Sequence, residues 1–263
     1  MMTSLTPWVK RILLTWVVLW VLSFLFLLAE IDLPRAFSLW PRGLGDGQIT
    51  SIFGLLSYAF FHHPGGIFHL LFNCLIFYWT GPEIERYFPG RRFLKFVGVV
   101  VVVGAMTRLL LSGIAGSGFS GPAFGGSGIV SACLFGLAAL QPGLRVNLIF
   151  ITVPILPLVL VLGGLDVLNL IATFAGKGSQ IASELHLAGA AVGWFWGGGF
   201  LRFPIFARWS AKRQQSSIKR QQDKHQAREL ELDRILAKIT REGIGQLTAA
   251  EKEFLDNRSR RPD

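Results

Sequence analysis

The chain has 263 residues, of which 51% are hydrophobic and 16% charged, with eight Trp, 22 Phe and a mean hydropathy of +0.48. That is too apolar for an ordinary soluble domain and reads as one membrane domain with a polar tail. The net charge of +10 lies largely beside hydrophobic ends and in the tail, a pattern that fits orientation in a bilayer and argues against a nucleic-acid partner.

Lys10 and Arg11 precede an apolar run from Ile12 to Ala29. The run is long for the apolar part of a signal peptide, and Leu27-Leu28-Ala29-Glu30 has no small-x-small cleavage site, so a retained first helix starting in the cytoplasm is expected. A loop from Glu30 to about Pro64 follows, broken by Pro34, Trp40-Pro41-Arg42 and Gly43 to Gly47. Its apolar patch, Ile52 to Phe61, is too short to span and suits the interface. A second helix from about Gly66 to Phe88 carries His69, Asn73, Glu83, Glu85 and Arg86, and the basic turn Pro89-Gly90-Arg91-Arg92 is expected in the cytoplasm. Phe93 to Leu111 makes the third helix.

Gly125-Gly126-Ser127-Gly128 opens a fourth helix that Gln141-Pro142-Gly143 ends. From Ser127 to Leu140 it covers about 21 Å, against a hydrocarbon core of about 30 Å, so it cannot cross alone. One end must lie below the surface, and the glycine-rich Ser112 to Gly126 segment is expected to be non-helical there, buried in protein or lining a wet cavity. A fifth helix is expected from Asn147 to about Leu165; its end near Asp166 stays open, because apolar residues continue to Phe174. The sixth runs from about Ser183 to Phe203. The expectation is an all-α, polytopic fold of six transmembrane helices with both termini cytoplasmic. Cys74 and Cys133 lie inside apolar runs and read as packing residues.

The membrane domain is expected over 1–210 and a cytoplasmic helical tail over 211–263. From Arg202 to Asp263 there are 15 Lys and Arg against nine Asp and Glu, so +6 of the +10 lies there. Ala211 to Glu229 reads as a polar juxtamembrane helix that can meet anionic headgroups. Leu230, Leu232, Ile235, Leu236 and Ile239 form an apolar stripe, Gly243-Ile244-Gly245 breaks it, and Thr248-Ala249-Ala250-Glu251 is a capping box. A small helical hairpin is expected.

Three polar features stand inside the apolar helices. Small residues around Ser127 are ordinary in helix packing, and His69 with Asn73 at i+4 are as readily interhelical glue. His186 is costlier to explain away, since an ionisable side chain in a membrane marks a functional site by default. Gly189 and Gly193 share its face and let a neighbouring helix approach. The set points to nucleophilic catalysis. Ser127 needs an adjacent base, and His186 supplies one. The oxyanion of acyl transfer needs donors, and the Ser127 N–H at a helix N-terminus, His69 and Asn73 supply them.

With these residues in place the chain resembles the rhomboid family of intramembrane serine proteases. Gly125-Gly126-Ser127-Gly128 resembles its GxSG motif, His186-Leu187-Ala188-Gly189 with Gly193 its HxxGxxxG motif, and His69-Leu70-Leu71-Phe72-Asn73 its HxxxN motif. Gly81 and Glu85 fall where its GxxxE follows. The resemblance covers roughly Gly54 to Phe200, and the segment from Asp233 to Leu255 resembles a small cytoplasmic module of many bacterial members. It implies a serine endopeptidase of the cell inner membrane, a Ser127 and His186 dyad, and an oxyanion site of His69, Asn73 and Ser127. It also implies no metal or other cofactor, and substrates that are single-span membrane proteins. In the family the fifth helix and the loop after it act as gate and cap. His62 and His63 stand seven and six residues before His69, where many members have one histidine five before, and neither is carried over as catalytic. Asp166 and Glu184 are the carboxylates nearest in sequence to His186; because a buried carboxylate is costly there, the expectation is a base held without an acidic third member. A proteolytically inactive relative that binds membrane clients is the alternative, disfavoured because Ser127 and His186 are both present. A channel or transporter is disfavoured by the lack of internal repeats and of further buried charges.

Overall fold

The computed structural model describes residues 4–148, 151–177, 181–199, 226, 229–248, 250–252 and 254–255. The chain forms two compact units, 1–200 and 201–263.

In the first unit, α1 (Pro7–Leu27) opens on a proline, at a position whose N–H would find no intrahelical partner. The next two N–H groups, of Trp8 and Val9, donate to the Glu85 carboxylate at 3.1 and 2.9 Å. Glu85 lies on α5 (Ile67–Tyr87), buried, where the positive end of the α1 dipole and these charge-assisted bonds offset its desolvation. Gly81, one turn earlier, admits α1: a Cβ there would stand 2.9 Å from Val9 Cγ2. The GxxxE spacing is thus a seat for a helix N-terminus.

Between α1 and α5 the chain makes three short helices, α2 (Leu33–Ala36), α3 (Pro41–Gly45) and α4 (Ile49–Ser57), and a 3-10 turn at Tyr58–Phe60. The interfacial patch of the sequence is α4 with this turn. α6 (Arg91–Ala115) outruns the expected third helix at both ends, because the breaks fall at Gly90 and Gly116, whose φ of 62° and 72° other residues avoid. Ser112 to Ala115 are therefore helical, contrary to expectation, a 3-10 turn follows at Gly116–Phe119, and the irregular path narrows to residues 120–126. α7 (Ser127–Leu140) has the expected bounds.

The fifth helix differs most. Two strands, β1 (Arg145–Leu148) and β2 (Ile151–Pro154), pair antiparallel with Val146 opposite Val153, so the fold is not purely helical. The β-branched run Ile151-Thr152-Val153 favours strand, and Pro154 stands at the cap of α8 (Ile155–Phe174). The helix thus begins later and ends later than expected, placing Asp166 in its interior. α9 begins at Ser183 as expected and is helical to Trp196.

The site rests on the seam between α7 and α9. A Cβ on Gly189 would lie 2.1 Å from Gly128 O, and one on Gly193 2.0 Å from Ala132 O, so the two backbones touch with no side chain between them. α6 packs against α9, and α5 against α7. Phe77, Phe96, Ile129 and Leu137 fill the core, while large apolar side chains such as Leu14, Phe24, Met106, Leu110, Leu160 and Leu168 point outward. α1, α6 and α8 are each long and apolar enough to cross a membrane, and α7 is a shorter apolar helix. Their exposed faces identify a membrane protein.

In the second unit, residues 229–242 are helical, with Ile235 buried, and a 3-10 turn at Ile244–Gln246 follows. The capping box is formed: Thr248 N–H donates to Glu251 Oε2 at 2.8 Å, and Glu251 N–H to Thr248 Oγ1 at 3.3 Å. Glu251 also meets Lys238 and Arg234, each at 3.0 Å, which closes the hairpin. The expected polar helix from Ala211 lies outside the described residues except at its end, as does the boundary expected at 210.

Candidate active site

Ser127 is the first residue of α7, and its N–H and that of Gly128 have no acceptor within the helix. The approach to it is fixed from three sides. Leu39 and Ala123 exchange backbone bonds at 2.9 and 3.0 Å, and the Gly125 N–H donates to Tyr58 O at 2.9 Å. Gly125 has φ 135°, open only to glycine, and a Cβ there would lie 2.8 Å from His69 Cε1 and 3.8 Å from Ser127 Oγ. The His69 ring therefore lies across bare backbone, beside the serine, and is exposed. A Cβ on Gly126 would meet the Trp16 ring at 2.2 Å, and Trp16 is anchored by its own N–H on Ala59 O at 3.0 Å.

His186, in the first turn of α9, puts Nε2 at 2.7 Å from Ser127 Oγ. Its Nδ1 lies 2.9 Å from Asp166 Oδ1 on α8. The expectation of a base without an acidic neighbour is thereby corrected. It rested on a heavy desolvation cost, yet the His186 and Asp166 side chains are 20% and 18% exposed rather than fully buried. It also placed Asp166 at a helix end, whereas α8 continues for two more turns and turns Asp166 toward α9.

Asn73 lies on the second helix at i+4 from His69, as expected, with a partner that was not foreseen. It is buried one turn along α5 from His69, and its Nδ2 lies 3.0 Å from His62 Nε2. The same Nε2 accepts the Gly126 N–H at 3.3 Å. With two donors facing Nε2, that nitrogen is unprotonated and the proton is on Nδ1. Among the described residues Asn73 has no bond to Ser127; His62 joins it to the turn that presents Ser127. His62 was set aside on spacing, and the structure makes it part of the site's frame. Its signal was the neighbouring turn, since Pro64-Gly65-Gly66 lengthens the path from His62 into α5. His63 is peripheral, accepting the Gly65 N–H at 3.1 Å.

Sequence reasoning also missed a buried ion pair. Arg108 on α6 pairs with Glu184 on α9, with both side chains under a tenth exposed. Its second guanidinium nitrogen donates to Gly121 O at 2.8 Å. Glu184 thus points away from His186, as its offset of two residues requires, and the pair locks the start of α9 to the loop before Ser127. The expected lack of further buried charges does not hold. Arg108, a single cation in an apolar run, was the available signal.

The arrangement gives a hydroxyl, a base within hydrogen-bond reach, and two N–H groups without an acceptor among the described residues at the positive end of a helix, beside an exposed imidazole. That can perform acyl transfer. A family model described as Rhomboid domain matches residues 50–203. A second, described as a family of unknown function (DUF6576), matches residues 219–261. No curated protein matches the chain.

Proposed function

Since the chain belongs to the rhomboid family, whose members are generally intramembrane serine proteases, we propose that it is a serine endopeptidase that cleaves single-span membrane proteins. The observation that carries the reading is the 2.7 Å contact between Ser127 Oγ and His186 Nε2 at the start of α7. Ser127 Oγ attacks the scissile carbonyl carbon while its proton passes to His186 Nε2. The oxyanion is received by the Ser127 and Gly128 N–H groups, with His69 as a side-chain donor; Asn73 supports the turn through His62 and keeps one amide proton for the oxyanion. His186 then protonates the departing amine, and a water, activated by the same imidazole, releases the acyl-enzyme.

In this reading the domain has six transmembrane helices, α5, α9 and the short α7, which starts below the surface, joining the three long apolar ones. The basic turn at Pro89 to Arg92 and both termini face the cytoplasm of a cell whose plasma membrane holds the protein. The test is cleavage of a model transmembrane substrate by the purified, reconstituted chain. Ser127→Ala and His186→Ala should each abolish turnover while still folding and inserting. Turnover retained by either variant would overturn the mechanism, and no labelling of Ser127 by a fluorophosphonate in the wild-type chain would favour an inactive, client-binding relative.

A further inference from the structure

We infer that Asp166 is a positioning residue for His186, making the site a Ser127, His186 and Asp166 triad whose acid is delivered by a separate helix. The inference rests on the reading of Ser127 as nucleophile. Imidazole is a useful base only if its bare nitrogen faces the hydroxyl, and the tautomer with the proton on Nδ1 is the one that leaves Nε2 bare. A carboxylate 2.9 Å from Nδ1 accepts that proton and excludes the other tautomer, since a carboxylate has no hydrogen to donate. When the Ser127 proton moves to Nε2 the ring becomes cationic. Asp166 then faces a full positive charge across one hydrogen bond.

Two further observations favour a built contact over a chance one. Glu184, two residues from His186, is held by Arg108 on α6, so Asp166 is the carboxylate at Nδ1 among the described residues. One turn along the same face of α8, Asn169 Nδ2 donates to Ser183 Oγ at 2.8 Å and to Ile181 O at 3.2 Å, which fixes α8 against the start of α9. The register that places Asp166 at His186 is therefore set by a second polar tie. Elsewhere α8 packs by apolar contact alone, with Ile155 and Val159 buried beside an open apolar pocket of about 360 Å³ lined by Phe135, Val159, Leu187 and Trp194 among others.

The test compares variants of the full chain in proteoliposomes by fluorophosphonate labelling of Ser127 and by kcat and KM on a membrane substrate. Asp166→Asn keeps size and a hydrogen bond to His186 but its amide donates to Nδ1, which puts the proton on Nε2 and removes the base. In soluble triads this change costs about 10⁴-fold in kcat. With both side chains a fifth exposed, water replaces part of the carboxylate's role, and a loss of about 10²-fold or more is expected here. KM should stay within about twofold, Asp166→Glu should recover part of the rate, and labelling should fall in parallel. Asn169→Ala removes the structural tie without touching His186, so it should keep labelling within about fivefold of the wild type. If Asp166 merely ties two helices, Asp166→Asn will label like the wild type and fall no further than Asn169→Ala, which overturns the inference. A wild-type chain that labels at Ser127 but cleaves no membrane substrate removes the protease reading and leaves the triad testable by labelling. A wild-type chain that does not label overturns both.

Discussion

At the scale of single residues, His69 and Asn73 occupy different environments, and their loss should read differently. The His69 ring is exposed and lies across Gly125, so His69→Ala removes the proposed oxyanion donor with little effect on packing. Turnover should fall by roughly 10²- to 10³-fold, as when one oxyanion donor is lost, with the thermal midpoint unchanged. Asn73 is buried and bonded to His62, so Asn73→Ala leaves a ring nitrogen short of one donor in the interior. That should lower stability by about 1–3 kcal/mol as well as slow turnover. Paired melting curves and rates check both statements; equal melting losses for the two variants would show that His69 is as structural as Asn73.

At the scale of elements, bare glycines set the α7 and α9 spacing. Gly189→Ala would drive a Cβ to 2.1 Å from Gly128 O, so the helices must part. Overpacking of this kind costs about 1–3 kcal/mol, and the same shift lengthens the contact between Ser127 and His186, so labelling should drop sharply. Gly98→Ala on α6, where a Cβ meets nothing within 4 Å, should be neutral or stabilise by up to about 1 kcal/mol. The Arg108 and Glu184 pair behaves as a buried pair should: Glu184→Gln leaves Arg108 uncompensated and is expected to cost about 3–5 kcal/mol in thermal or denaturant unfolding.

These elements also show what sequence can reveal. Ser127 and His186 were readable because each sits in the first turn of a helix whose start the local residues announce, and the glycines that bring the two helices together repeat at helical spacing. Asp166 was not readable as a partner, because an apolar run continuing to Phe174 hid where α8 begins and ends, and a shift in helix register changes the face a residue shows. His62 was hidden for another reason. Its position depends on Trp16 and Gly126, which are distant in sequence and meet it only in the folded chain.

For the whole molecule, the orientation proposed above can be read out directly. Lys177, exposed after the end of α8, should be labelled from outside intact cells as Lys177→Cys in a chain lacking Cys74 and Cys133. Labelling only after the membrane is opened would reverse the orientation. The second unit contains an acid-labile contact. Hydrogen bonding from the Thr248 N–H, followed by the Lys238 ammonium, holds the Glu251 carboxyl down at about 2. A carboxyl so lowered stabilises the hairpin fully above its unfolded value of about 4.3, and that contribution is lost as pH falls toward about 2. Hydrogen-exchange protection of residues 229–242 should exceed that of Glu251→Gln at pH 6, and the difference should close near pH 2.

The seat that Glu85 makes for α1 has a consequence in time. The Val9 N–H and the Glu85 carboxylate that accepts it are 76 residues apart, and at about 5–20 residues per second the ribosome needs roughly 4–15 s to supply the second after the first. Throughout that interval the leading helix has emerged without the carboxylate that caps it or the Gly81 notch that receives Val9. Nascent chains stalled at increasing lengths, with a photocrosslinker at Val9, should join to α5 only once Glu85 has cleared the exit tunnel, and to insertion machinery or lipid before then. A newborn α1 is thus a client of its surroundings first and a part of this protein second.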